Sequence, residues 1–293
     1  MKILLSLQVF FTSLIQSLLT VGKIVILSRF VKLPKAKSSE KEVVILGNGP
    51  SLTGFVNEHR YFLDNKLKLV VNHFADTELY ESIKPEMYVI NAIEFWSEGV
   101  DKDVIERRNR LIDNIIKKTQ WEMSLFLGMK AKKSKAWKRI EKENKNIKVY
   151  YFNVTPVEGF EKFKMFCYKY QLGMPRPHNI LIPSIMLVIK MGYKKVYIAG
   201  ADHSWLQELY VAEDNTAYLN QKHFYDIKTS KPEIMKKAGK NKRKLHEILH
   251  KFYLTFKGYF DVANYAKKQG VAIYNVTKNT YIDAFERLKL QRK

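Results

Sequence analysis

The spacing of apolar and polar residues divides the chain into a long apolar opening and a remainder of short alternating runs. The first 30 residues, MKILLSLQVFFTSLIQSLLTVGKIVILSRF, hold no acidic residue and no charge between Lys2 and Lys23. About 20 such residues suffice to span a bilayer. Gln8, Thr12, Gln16 and Thr20 recur at every fourth position, with Ser13 and Ser17 beside them, which gives a helix one polar stripe. That pattern predicts a helix lying in a membrane interface or packed on a partner, with a single span and a soluble packing helix as alternatives. Arg29, Lys32, Lys35 and Lys37 follow, and basic residues just past an apolar helix favour anionic lipid on the cytoplasmic side. No small-residue site ends the run as a signal peptide would. Residues 1–40 are therefore expected to form a membrane-associating helix and a basic linker, anchored or peripheral at the cytoplasmic face of the inner membrane.

From residue 41 the pattern becomes strand, turn, helix. EVVILG, KLVVNHF, MYVINAI, KVYYFNV, KVYIAGAD and VAIYNVT are short runs rich in β-branched residues, the composition of buried parallel strands. Helical periodicity over 103–118, 134–144, 183–191 and 245–268 separates them. Pro183 fits a first helical turn, and Gly192 supplies a stop. Together they predict one α/β domain over 41–293, a Rossmann-like, mostly parallel sheet flanked by helices. Asp226 to Lys244 has a proline, a glycine and many lysines but no apolar period, so a lid of about 203–244 is expected. Residues 130–145 carry eight Lys or Arg against two Glu around Trp137. They read as a solvated helix face or an anion-attracting patch.

Composition narrows the partners. Of 293 residues 46% are hydrophobic, enough for a sizeable core. Lys and Arg number 51 against 29 acidic residues, a formal charge of +22. Such a surface attracts nucleotides, acidic glycans, anionic lipid or nucleic acid, and charge does not choose among them. Cys167, the sole cysteine, excludes an internal disulfide and fits a reducing compartment. Within FKMFCYKY it reads as a buried structural thiol.

The candidate chemistry begins at KEVVILGNGPSL. Gly47 and Gly49 permit close backbone approach, while Asn48 and Ser51 offer hydrogen bonds where a helix starts, as a nucleotide phosphate or ribose needs. The third glycine of a dinucleotide fingerprint and the lysine of a P-loop are both missing, and a plain tight turn is the alternative. Asn72 and Asn91 end the next two strands, and ligands of open parallel sheets bind beyond the strands' carboxyl ends. GADHSW puts Asp202, His203 and Ser204 at the same edge, and HFYD adds His223 and Tyr225. Either histidine suits a general base. Asp101-Lys102-Asp103 has the form of a metal-binding DxD but opens a helix, where acidic residues serve as caps. HEILH, His246 to His250, matches the zincin pattern, yet Phe256 stands where a third histidine would be, and lysines flank it.

VVILGNGPSL, the strand-end asparagines, PSIMLVIKMGYKKVYIAGAD and VAIYNVTKNTYIDAF resemble the bacterial lipooligosaccharide sialyltransferases over about residues 42–290. The resemblance implies a single Rossmann-like domain whose Gly47, Asn48, Gly49, Ser51, Asn72 and Asn91 hold a CMP group, with Ser184, Asp202, Ser204 and Asn279 nearby. It implies a tyrosine pair assisting the leaving phosphate without a metal. Tyr210 falls at the second position, Ser204 replaces the first, and Tyr225 is the substitute. His223 is the nearest match to the family's base, with His203 as alternative. An arginine of the family falls near Pro177, between Arg176 and His178. The implied activity is an inverting, metal-independent transfer of a CMP-linked acidic sugar to a surface glycan such as lipopolysaccharide or capsule. Its partners would be a sugar-nucleotide donor, a glycan or glycolipid acceptor and an anionic membrane, with no cofactor and no nucleic acid; a homo-oligomer stays open. The opening turn and GAD block also resemble archaeal-type pterin pyrophosphokinases, which would require an acidic metal pair at the strand ends. A HExxH zinc protease and a membrane-tethered binding module without enzymatic activity are the remaining alternatives.

Overall fold

The computed structural model describes residues 2–36, 41–97, 100–237 and 241–291; Lys37 of the basic linker and residues 238–240 of the expected lid lie outside them. The chain opens with α1 (Lys2–Leu27) and proceeds through β1 (Glu42–Leu46), α2 (Leu52–Glu58), α3 (Arg60–Asp64), β2 (Leu67–Val71), α4 (Leu79–Ile83) and β3 (Met87–Ile90). Then come α5 (Lys102–Lys118), β4 (Met123–Gly128), α6 (Lys135–Glu143), β5 (Ile147–Phe152), α7 (Glu161–Lys169), α8 (Leu181–Met191) and β6 (Lys195–Ala199). Short strands β7 (Leu209–Val211), β8 (Ala217–Leu219), β9 (Glu233–Ile234), β10 (Lys236–Lys237) and β11 (Asn241–Lys242) precede α9 (Leu245–Lys268), β12 (Ala272–Asn275) and β13 (Glu286–Arg287).

Eight strands form one sheet in the order β13-β12-β6-β1-β2-β3-β4-β5, with every pairing parallel. Parallel strands are covered on both faces, and successive side chains of β1 show it. Val43 and Ile45 enter a core with α8 and α9, and Val44 and Leu46 enter a second core with α2, α5 and α6. Helix α8 is buried along ten of its eleven residues, so its all-round apolarity belongs to a core rather than to a membrane. Gly192 closes it at φ +102°. The chain reverses its direction across the sheet between β1 and β6, which makes their carboxyl ends the topological switch point.

Residues 209–234 add a three-stranded antiparallel sheet, and β10 pairs antiparallel with β11. Ala217 and Leu219 pack on Ile248 and Phe252 of α9, so this segment has a small core of its own. Its backbone reaches the opening turn through Phe224 N–H, which donates to the Asn48 carbonyl at 3.0 Å.

Helix α1 docks through its small polar residues. Phe160 N–H donates to Ser17 Oγ at 3.1 Å, Thr20 Oγ1 donates to the Glu158 carbonyl at 3.0 Å, and Ser28 Oγ meets Thr155 Oγ1 at 2.8 Å. Lys23 pairs with Glu158 at 3.5 Å. Gln8, Thr12 and Gln16 remain exposed, as do Leu7, Phe11, Leu14, Ile15, Leu18, Val25 and Ile26. Part of the polar stripe thus faces the protein, and apolar side chains cover the rest of the helix. Leu5–Leu27 is long and apolar enough to cross a membrane.

Candidate active site

The carboxyl ends of β1 and β6 are fastened by glycine. Gly47 N–H donates to the Ala199 carbonyl and Gly49 N–H to the Gly200 carbonyl, both at 2.8 Å. Gly200 sits at φ +65°, which a side chain would strain. Ser51 Oγ donates to Asp202 Oδ2 at 2.9 Å, and its N–H reaches the same oxygen at 3.4 Å. The first turn of α2 therefore already faces a carboxylate, and burial pushes Asp202 above the usual carboxylate range.

Beyond this edge lies a cavity of about 1080 Å³, large enough for a nucleotide sugar. Gly47, Asn48, Gly49, Asn72, Asn91, Asp202, His203, Ser204, His223 and Tyr225 all line it. Asn48 Nδ2 donates to the Val71 carbonyl at 3.1 Å, while Asn48 Oδ1 and Asn72 Oδ1 are buried with no partner among the described residues. Unsatisfied acceptors of this kind await a polar ligand. Ser51 is spent on Asp202 and does not line the cavity. Neither does Ser184, wholly buried with its hydroxyl on the Ile180 carbonyl, nor Asn279, an exposed turn residue at φ +56°. Tyr210 lies outside as well, half exposed on β7 against Tyr218.

The two candidate bases differ in their surroundings. His203 lies in an aromatic box, stacked on Trp205 at 4.1 Å and hydrogen-bonded through Nε2 to the Tyr259 hydroxyl at 2.6 Å. Burial lowers its pKa to about 3. His223 presents Nδ1 to Asp226 Oδ2 at 3.1 Å, and its backbone N–H donates to Asp226 Oδ1 at 2.6 Å. That contact holds the proton on Nδ1 and leaves Nε2 free to accept one, the arrangement of a carboxylate-oriented base. The Tyr225 ring stacks on His223 at 5.0 Å, and burial raises the phenol above its ordinary range. It stays protonated, a hydrogen-bond donor at neutral pH.

Asp226 stands three residues after His223 in the quoted HFYD, a spacing that signals a helical-turn partner. Asp76, Arg107, Arg110 and Lys251 also line the cavity and carry no local sequence signal; Lys130, from the basic 130–145 stretch, and Trp205, from GADHSW, line it too. Elsewhere, Asp101 takes the N-cap position of α5 without a side-chain capping bond. Glu247 of HEILH accepts from Lys244 N–H at 3.0 Å, closing a capping box on α9. No group of three His, Cys, Asp or Glu side chains is arranged to hold a metal among the described residues.

No protein-family model matches the chain, and no curated protein matches it significantly. Its structure is similar to that of the MAf glycosyltransferase from Magnetospirillum magneticum AMB-1, with a TM-score of 0.50 at 9% sequence identity. The chain has a glycosyltransferase-like fold. The match covers 95% of this chain and 39% of the larger one, so the likeness is to one portion of that enzyme.

Proposed function

We propose that the protein is an inverting glycosyltransferase that moves a sugar from a nucleotide, most specifically a CMP-linked acidic sugar, onto a cell-surface glycan such as lipopolysaccharide or capsule. The observation that carries the reading is the His223–Asp226 pair facing the same cavity as the Gly47 turn and the unpartnered Oδ1 atoms of Asn48 and Asn72. In this scheme His223 Nε2 takes the acceptor hydroxyl's proton as its oxygen bonds the anomeric carbon. The carbon–oxygen bond to the nucleotide breaks, and its electron pair stays on the departing phosphate. Tyr225, on the cavity wall, donates to that phosphate in place of Tyr210. No metal takes part, and the donor sits under residues 203–244 as a lid. The apolar side chains of α1 support attachment to a bilayer, where a lipid-linked acceptor would lie, and we assign the cytoplasmic face.

A thermal-shift panel of CMP, UDP, GDP and ATP tests the donor, because a ligand stabilises the state it binds. CMP is expected to raise the midpoint, and a flat response to CMP removes the preferred donor. A response to ATP only with magnesium would instead favour diphosphate transfer. With a competent donor, His223→Asn should lower kcat by roughly 100-fold or more while leaving CMP binding intact.

A further inference from the structure

At the end of the cavity between α8 and α9, positive groups outnumber the carboxylates that face them. His178 and Lys251 line the wall there, and Arg243 stands behind them on the segment leading into α9. His178 Nε2 and Arg243 Nε are buried with no hydrogen-bond partner among the described residues. No carboxylate lies within ion-pair distance of Lys251 among them; Glu94 acts on it only through space. Arg176 is already committed to Glu158, at 2.8 Å, and His250 adds to the same field. Glu233, also on the cavity wall, is exposed.

We infer that His178, Lys251 and Arg243 form a second anion subsite, which takes a carboxylate or phosphate carried by the substrate apart from the nucleotide phosphate. Buried polar groups without partners are costly unless a ligand satisfies them, and two cations beside an unpaired imidazole suit an oxyanion rather than a neutral hydroxyl. The mutual repulsion of these groups is visible in two of them. Burial and the surrounding cations lower the His178 pKa to about 4, and burial with the nearby Arg243 lowers that of Lys251. An oxyanion placed among them reverses the repulsion and returns the proton to His178. The identity of the group rests on the glycosyltransferase reading; the existence of the subsite does not. Two sources fit, the acid group of the transferred sugar and a phosphate on the acceptor.

The test follows the seven histidines of the full-length protein by NMR with isotope-labelled imidazole, His178 being assigned by His178→Gln. Inorganic phosphate and free N-acetylneuraminate are titrated separately into the tens-of-millimolar range at neutral pH. A saturable downfield, protonating shift of His178 is expected with at least one, weakened roughly tenfold or more by Lys251→Met. Response to N-acetylneuraminate alone assigns the sugar's acid group, and response to phosphate assigns a phosphate. Arg107→Met, among the cavity residues contributed by α5, should leave the titration unchanged. Lys251→Met should also hold or raise the unfolding midpoint, since it removes an unpaired charge. No saturable shift with either anion, or one that Lys251→Met leaves intact, overturns the subsite. The nucleotide reading fails separately, by silence to CMP while His178 still answers the anions.

Discussion

Replacing Gly200 by alanine tests whether the switch point is as tightly built as its geometry says. Gly200 lies at φ +65°, and a Cβ there would come within 2.6 Å of the Gly47 carbonyl oxygen and 2.9 Å of Leu52 Cβ. The left-handed backbone alone costs alanine about 1–2 kcal/mol. Relief of the overlap must shift the backbone that accepts the Gly49 N–H, and losing that bond adds about 1 kcal/mol. Together these give a destabilisation of about 2–3 kcal/mol. Gly54 is the matched control, an exposed position inside α2 with nothing within 4 Å of a new Cβ. There the same substitution should stabilise by about 0.5–1 kcal/mol, because alanine loses less backbone entropy on folding. Urea unfolding followed by tryptophan fluorescence measures both. Equal effects of like sign, or a Gly200→Ala protein within about 0.5 kcal/mol of the parent, would refute the reasoning.

Three further outcomes are expected. His203 and His178 have pKa values lowered to about 3 and about 4, so below pH ~6.5 the unfolded chain binds protons that the folded one refuses. Stability should therefore fall as pH drops from about 6.5 towards about 4, and His178→Gln should flatten that slope by no more than ~1.4 kcal/mol per pH unit, less for its partial exposure. Cys167 is buried and its thiol is pushed up to about 11, so it should resist a disulfide reagent at pH 8 and react promptly in denaturant. In flotation assays the protein should rise with vesicles containing anionic lipid, and Leu14→Lys with Leu18→Lys should weaken this markedly without altering the fold. Equal flotation of the double variant would count against lipid contact by α1.

The sheet was largely legible because its strands announce themselves chemically. Runs such as VVIL and VYIA are too short for helices and too β-branched to prefer them. Strand β4, MSLFLG, escaped because methionine, leucine and phenylalanine suit either state, and β13 because it is two polar residues on an edge. The short strands of 209–242 hold no apolar period, and their order comes from Ala217 and Leu219 packing on α9. At the site, Asn48, Asn72 and Asn91 could be read because strand ends in a parallel sheet converge. Lys251 and Arg107 could not, since helices bring them in from distant sequence, and His178 is marked in the sequence only as a neighbour of the position where the resembled family has an arginine. Ser51 was expected to offer its hydroxyl to a nucleotide, and in the structure that hydroxyl donates to Asp202, some 150 residues away.

The docking of α1 changes what a shortened protein would mean. Glu158 receives the Thr20 hydroxyl on its carbonyl, donates its own N–H back to Thr20 Oγ1, and shares its carboxylate between Lys23 and Arg176. Arg176 in turn lies two residues from His178, whose N–H donates to its carbonyl. Cutting away the helix to gain solubility would strip Glu158 of three contacts at once and loosen the rim of the cavity. Lost turnover in such a truncation would then report a damaged rim as readily as a missing membrane, and point changes on the outward apolar side chains are the cleaner way to separate the two.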